Sequence, residues 1–539
     1  MHLPVWRLRR SKNFPFPEPP DVAALLSTTA QRPAMRALGA WRPRHVSHMI
    51  RFPFYRASGA FLGLALAGCS VGPGFHPPSS LPHVANLQPR DASSLSATLK
   101  REPVPAAWWN LLDDPILAGL QRRAEQTNLD LQAAAARVAQ SRARLGVAGA
   151  RLMPRLGASA GYAREADSAN GKMAALGAPT DAYEYWQAGF DASWEIDLWG
   201  HARKLREQAG AEMAIAWYDQ EAARVAMAAE IARNYLQLRG IQAQLDIAGQ
   251  NEKIAMHALR LAESRARNGV ATHFDTAAAS AQLATVRALL PELARERDAH
   301  MNALALLLGM APRELDAELA PTRTLPRPPR IVPVGLPSEL ARRRPDIQRA
   351  QSRLQAATAA VGVATADFYP RLTIGGRLGV EAFHGGDLGN WASRQFSVGP
   401  TLYLPIFEGG RLRSTLALTE ARQQEAAIDF QQTVLRAWHE VDDALNAWAA
   451  EQRRHVELQS AFDHNRLALQ ASERAYQQGA ADYLPVLVAQ RNLLDSQLAL
   501  TTSSTRSTLT VVALYKALGG GWNPATVSGH AHDEPESRP

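Results

Sequence analysis

The acids best placed to do chemistry stand in "WEIDLW", where Glu195 and Asp197 lie two residues apart. Two carboxylates flanking one bond are the equipment of a glycosidase. Both, however, sit at a strand-to-helix junction in a repeated element, and no acid–base partner accompanies them. His439, His455 and His464 share one long helical pattern at spacings of 16 and 9 residues. Those spacings do not make a helical metal pair, and solvated surface is the plainer role. There is no His-Glu-x-x-His, no P-loop and no Gly-x-Ser-x-Gly elbow. The expectation is therefore no enzyme, no catalytic residue, no metal and no cofactor.

One reactive side chain remains. Cys69 is the single cysteine among 539 residues, which rules out an intrachain disulfide framework. It closes "LGLALAGCS", behind a basic flank (Arg51, Arg56) and a short apolar run, Ala57 to Ala67. Basic flank, apolar run and small residues form the pattern of an export signal. The ending "LAGC" resembles a bacterial lipobox, in which the cysteine becomes the lipidated first residue. Ser70 rather than Asp follows, which resembles an outer-membrane address. The alternative is a buried cysteine in a core helix. On the lipobox reading, Met49 is the true start. The charge agrees with a discarded leader. Of 59 Lys/Arg and 51 Asp/Glu, residues 1–68 hold ten basic and two acidic, leaving 49 of each from Cys69 onward. The net +8 belongs to the leader, so no basic patch argues for nucleic acid.

Long helical patterns occupy most of the remainder: Ile116 to about Leu152, His201 to Asn268, and Phe274 to Leu308. After a Pro-rich break, Pro321 to Pro337, they return at Ser338–Phe368, Leu412–Gln478 and Tyr483–Leu518. The return is an internal repeat. Asp130 meets Asp346, Gly146-Val147-Ala148 meets Gly362-Val363-Ala364, and Pro154-Arg155-Leu156 meets Pro370-Arg371-Leu372 at one constant offset. A smaller offset relates Gly200 to Gly410, Gly269 to Gly479 and Gly309 to Gly519, so a loop between is longer in the first copy.

Between those marks the period changes to two. Trp186, Phe190 and Trp194 alternate with Gln187, Asp191 and Glu195. Leu372 and Ile374 alternate with Arg371 and Thr373, and Phe396 and Leu402 with Gln395 and Thr401. Alternation over about ten residues is the pattern of a transmembrane barrel strand; a two-layer sandwich is the alternative. The aromatics suit an interfacial girdle, with Trp186, Phe190, Trp194, Leu372, Ile374, Phe396 and Leu402 facing lipid. Four strands cannot close a barrel, so strands must be pooled between chains.

From Cys69 to about Gly520 the order resembles the TolC-like outer-membrane factors, in the lipoprotein branch of OprM/NodT type. The motifs are "CSVGPGFHPP", "WWNLLDDPILAGLQRRAEQTNLDLQAAAARV", "WEIDLWGHAR", "GPTLYLPIFEGGRLR" and "YQQGAADYLPVLVAQRNLL". The resemblance implies an α+β homotrimer. Four strands per chain would make a 12-stranded outer-membrane β-barrel continuing into an α-helical periplasmic tunnel, with a mixed equatorial region. It implies a periplasmic adaptor protein, an inner-membrane pump of the resistance-nodulation-division (RND) type, outer-membrane lipid as surroundings, and small exported molecules. Gly269, Val270, Gly479 and Ala480 fall at the periplasmic tips, and Asp275, Tyr476 and Asp482 are gate candidates. The alternative for Asp275 is a helix cap, and for Tyr476 a core residue. Family members often carry an acid just beyond, where this chain has Pro485 and Val488.

The domain reading is a leader at 1–68, a tether at 69–106, a first repeat at 107–320, a Pro-rich linker at 321–337, a second repeat at 338–520 and a disordered tail at 521–539. A type I protein-secretion outlet and a lipid-anchored coiled-coil scaffold without a pore are the competing functions.

Overall fold

The computed structural model describes residues 70–76, 99–335 and 343–523. Every described residue belongs to one compact unit. Cys69, the leader with Met49, and the tail beyond Asn523 lie outside the described residues. In chain order the elements are β1 (Leu99–Lys100), α1 (Pro115–Thr127), α2 (Leu129–Ala150), β2 (Arg155–Glu165), α3 (Lys172–Ala175), β3 (Tyr183–Ile196), α4 (His201–Arg267), α5 (His273–Leu307), α6 (Asp316–Leu319) and β4 (Val332–Pro333). There follow α7 (Pro345–Ala366), β5 (Arg371–Ala382), β6 (Arg394–Tyr403), α8 (Arg411–Gln477) and α9 (Leu484–Ala517).

Helices α4 and α8 each run 67 residues, roughly 100 Å at about 1.5 Å per residue. Each folds back on a shorter helix, α5 of 35 residues and α9 of 34. Toward the sheet, α2 packs on α4, α4 on α7 and α7 on α8. Helices α2 and α7 are 22 residues each. The loop between β2 and β3 carries α3, while that between β5 and β6 is shorter and holds two 3₁₀ turns.

Three expectations need correction. The single pattern from Ile116 to Leu152 is two helices, because Asn128 stops it. Its Oδ1 accepts from Leu131 N at 3.0 Å and its Nδ2 donates to Leu307 O at 2.7 Å. A short amide side chain competes with the helix for backbone partners in this way. The tether is partly built into the fold: β1 pairs in parallel with β4, Val71 N donates to Trp199 O at 3.0 Å, and Val104 is buried. Trp522, expected in a disordered tail, belongs to the fold: it is buried, donates Nε1 to Arg343 O at 2.8 Å and lies 5.7 Å from the Trp217 ring. An indole left in water would forfeit that burial.

The main core lies where α1, the middles of α4 and α8, and the ends of α5 and α9 converge, around Trp108, Tyr235, Trp448 and Tyr515. Trp108 stacks on Tyr515 at 5.5 Å. Arg239 is fully buried there and donates to Gln242 Oε1, Leu319 O and Pro321 O. Its guanidinium, together with the Gln242 amide, thereby satisfies carbonyls at the end of α6 and just beyond it.

The four long strands form one antiparallel sheet in the order β2-β3-β5-β6. Residues opposed across antiparallel strands share a face. The register therefore collects Leu156, Tyr162, Trp186, Phe190, Trp194, Leu372, Ile374, Leu378, Phe396, Val398 and Leu402 on one side. Arg155, Gln187, Asp191, Arg371, Arg377 and Gln395 fall on the other. The apolar side is bare among the described residues, with Leu156, Phe396 and Val398 at least three-quarters exposed. A sandwich would cover that face with a second layer.

Glu195 and Asp197 have structural employment. Asp197 accepts from the Ala202 and Arg203 amides at 3.1 and 2.9 Å and from Arg203 Nε at 3.2 Å, capping α4. Glu195 lies 4.0 Å from Arg371 on the neighbouring strand. Asp197→Ala is expected to cost about 1–2 kcal/mol through loss of the cap, seen as a lowered thermal unfolding midpoint, with Asp197→Asn keeping most of it.

Candidate functional site: the helical tips and the sheet

Both hairpins turn by the same device. At the end of α4, Val270 N bonds Arg265 O at 2.9 Å and Gly269 N bonds Ala266 O at 3.0 Å. At the end of α8, Ala480 N bonds Ala475 O at 2.9 Å and Gly479 N bonds Tyr476 O at 3.0 Å. These are paired Schellman closures, which need a left-handed residue just past the helix. Gly269 and Gly479 supply it at φ 71° and 73°.

The two turns come together around a cleft of about 570 Å³. Val270, Asp275, Tyr476, Gly479, Ala480 and Asp482 all line it, so six tip and gate candidates share one site. Gly269 sits in the adjoining turn and does not line it. Asp275 is the third residue of a capping box. Its carboxylate accepts from Thr272 N and Thr272 Oγ1, both at 2.8 Å, while Asp275 N donates to Thr272 Oγ1 at 3.3 Å. Those hydrogen bonds, with the nearby Arg265 charge, hold its carboxyl below the usual range. Tyr476 is half-buried rather than core. The Arg265 guanidinium lies 4.7 Å from its ring centre, and the Tyr483 ring 4.9 Å away. Burial and the Glu473 charge push the Tyr483 hydroxyl up, so that ring is neutral at ordinary pH.

The structure thus ties Tyr476 to Arg265 and Asp275 to Thr272. Arg265 was not legible as a site residue, because a lone arginine on a 67-residue helix reads as solvated surface. Phe274 and Val270, each more than 60% exposed, give the tip an apolar surface. Pro485 and Val488 are also exposed beside it, and Asp482 is the acid nearest the second turn. Elsewhere, the His455 ring nitrogen Nδ1 lies 3.3 Å from Ser503 Oγ. Among the described residues no cluster of His, Cys, Asp and Glu could hold a metal ion, and no helix is long and apolar enough to cross a membrane.

The arrangement of a bare apolar sheet face above two long hairpins has close relatives. The family model for outer membrane efflux proteins matches residues 120–310 and 336–520. The chain belongs to the outer membrane efflux protein family. It is similar to the pyoverdine export outer membrane protein OpmQ of Pseudomonas putida, 33% identical over 468 residues that span 86% of this chain and 96% of that one. It is 30% identical over 481 residues to outer membrane protein OprJ of Pseudomonas aeruginosa, covering 88% and 97% of the two chains. Among solved structures, the outer-membrane channel OprN is similar at TM-score 0.78 and 33% identity, over 84% of this chain and all of that one. This efflux protein is therefore an outer-membrane channel component of an efflux system, carrying its helical tunnel on the periplasmic side.

In this efflux protein, Asp275→Ala should fray the first turn of α5, raising amide exchange at residues 273–278. Acidification should do the same. A depressed carboxyl pKa contributes stability that is complete above its unfolded value of about 3.9 and is lost as pH falls through the folded value. Exchange at those amides that ignores both changes would refute the cap.

Proposed function

We propose that three copies of this chain pool their sheets into a 12-stranded barrel and their hairpins into one periplasmic tunnel, forming a passive conduit for small molecules. The observation that carries the reading is the sheet: an apolar face continuous over four strands up to a charged rim of Arg164, Glu184 and Arg394 at the loop end, with β2 and β6 unpaired on their outer sides among the described residues. Lipid cannot satisfy the backbone groups of an open edge, and closure against other copies can. The trimer number rests on the resemblance to solved outer-membrane channels. Strands of 10 to 14 residues suit the hydrocarbon thickness, and the matched helix pairs support a duplicated chain whose two halves each give one hairpin.

The tips are the docking end. Val270, Phe274 and Ala480 offer a periplasmic adaptor an apolar surface, with Gly269 and Gly479 shaping the turns. Arg265, Asp275, Tyr476 and Asp482 form the gate, and an inner-membrane pump of the RND type supplies the energy. One relative is named for pyoverdine export, which supports a small-molecule cargo. The lipid on Cys69 is an auxiliary anchor. Its neighbour Ser70 packs against Gly200, at the junction of sheet and α4, where the inner edge of a membrane around the sheet would lie.

The deciding measurement is conductance of the purified protein in planar bilayers. A heat-modifiable trimer that conducts is expected; a soluble oligomer without conductance would sink the conduit reading. Phe190→Arg, on the lipid face, should cost about 2–4 kcal/mol near mid-membrane and reduce assembled trimer, while Ser397→Arg on the lumen face should be tolerated. Arg265→Ala combined with Asp275→Ala should raise passive leak, and unchanged conductance would remove these residues from the gate. Mass spectrometry should find a lipid-modified Cys69 as the first residue.

A further inference from the structure

The most exposed large apolar side chains of the described residues are neither on the strands nor at the tips. Ile406 and Phe407, in the link between β6 and α8, are 90% and 89% exposed. The link that carries them is braced. Glu408 accepts from Arg411 Nε at 2.6 Å and from the Tyr403 hydroxyl at 3.3 Å, spanning the end of β6 and the start of α8. Gly409 and Gly410, both at positive φ, then turn the chain into α8. The two side chains are thus presented outward by a defined loop. Leaving both in water would forfeit several kcal/mol of burial, and a patch of this kind marks an interaction surface.

A matching surface exists at the opposite edge of the same chain. Helix α2 and strand β2 meet at a corner held by Trp194 Nε1, which donates to Leu152 O at 3.0 Å. Around it Val147, Met153 and Leu156 are each about two-thirds exposed or more. The link follows the tunnel end of β6, and the corner precedes the tunnel end of β2. These strands are the two sheet edges, and α8 and α2 are the outer members of the helical layer α2-α4-α7-α8. Knob and corner therefore lie at one level on opposite flanks.

We propose that Ile406 and Phe407 of each chain seat in the α2–β2 corner of the next copy, locking neighbouring subunits at the junction of barrel and tunnel. The contact is heterologous, one flank against a different flank, so it propagates in one direction and ends only by closing a ring. This rests on the trimeric conduit proposed above and names the contact that would set its subunit order.

The test is a cysteine pair, Phe407→Cys with Met153→Cys, oxidised mildly in the full-length protein in isolated outer membranes. Within one chain the edges β2 and β6 stand three strand spacings apart, about 14 Å. A disulfide needs Cα atoms within about 7 Å, so any bridge is between chains. Expected is a non-reducing ladder of two and three chains that stops at three, collapses on reduction and is absent from both single variants. Native mass spectrometry of the same membranes' extract separates the two readings. Trimers without a ladder overturn the knob and leave the conduit standing, whereas monomers alone remove the conduit and the knob with it. Phe407→Asp should lower the temperature at which trimers dissociate, and an unchanged dissociation temperature would also overturn the proposal.

Discussion

A strand edge in hydrocarbon has no water to bond, and each unsatisfied backbone group there costs several kcal/mol. The sheet of this efflux protein has two edges, β2 and β6, with no further strand partner among the described residues, and an apolar face that no described element covers. Nearly every other feature is arranged to make a sheet of that kind tenable. Its strands carry apolar residues on one parity and polar residues on the other. Its flanking helices run in the order α2-α4-α7-α8, parallel to the sheet order β2-β3-β5-β6, so each strand continues into or out of a neighbouring helix. A lateral association that closes the sheet would therefore close the helical layer in the same act.

Helices of 67 residues cannot be stabilised by propensity alone; packing must hold them. Each is paired along its lower part with a return helix, and α4 also touches α9. The bracing is strongest midway, where Trp108, Tyr235, Trp448 and Tyr515 form the core and Arg239 ties α4 to the chain after α6. The tips have less. There the tie between the hairpins runs through Arg265, Tyr476 and Tyr483, all at a half-exposed cleft. Local stability follows buried contact density, so opening the tips costs less than opening the core around Trp108 and Tyr515.

The hairpin geometry was readable because its determinants are local. Gly269 and Gly479 announce Schellman turns from their place after periodic helices, and strand alternation survives in any register. Asn128 was readable in principle too, as a capping residue inside a helical pattern, but the Ala-rich run on both sides masked it. The packing of Trp522 and of the segment around Leu99 is not legible for a different reason: their partners, Trp217, Arg343 and Val332, stand 179 residues or more away. The role of Arg265 is hidden for the same cause, since its partner Tyr476 belongs to the other hairpin.

By itself, then, the sequence determined what depends on period and on short-range backbone chemistry: long helices, two strand pairs of alternating character and the turns between them. Only the tertiary structure decided that Glu195 faces the Arg371 charge on the neighbouring strand, which residues line the cleft between the tips, and that Ile406 and Phe407 are left bare on one flank opposite a bare corner on the other. Those facts depend on contacts between residues far apart in the chain, and periodicity carries no information about which distant faces will meet.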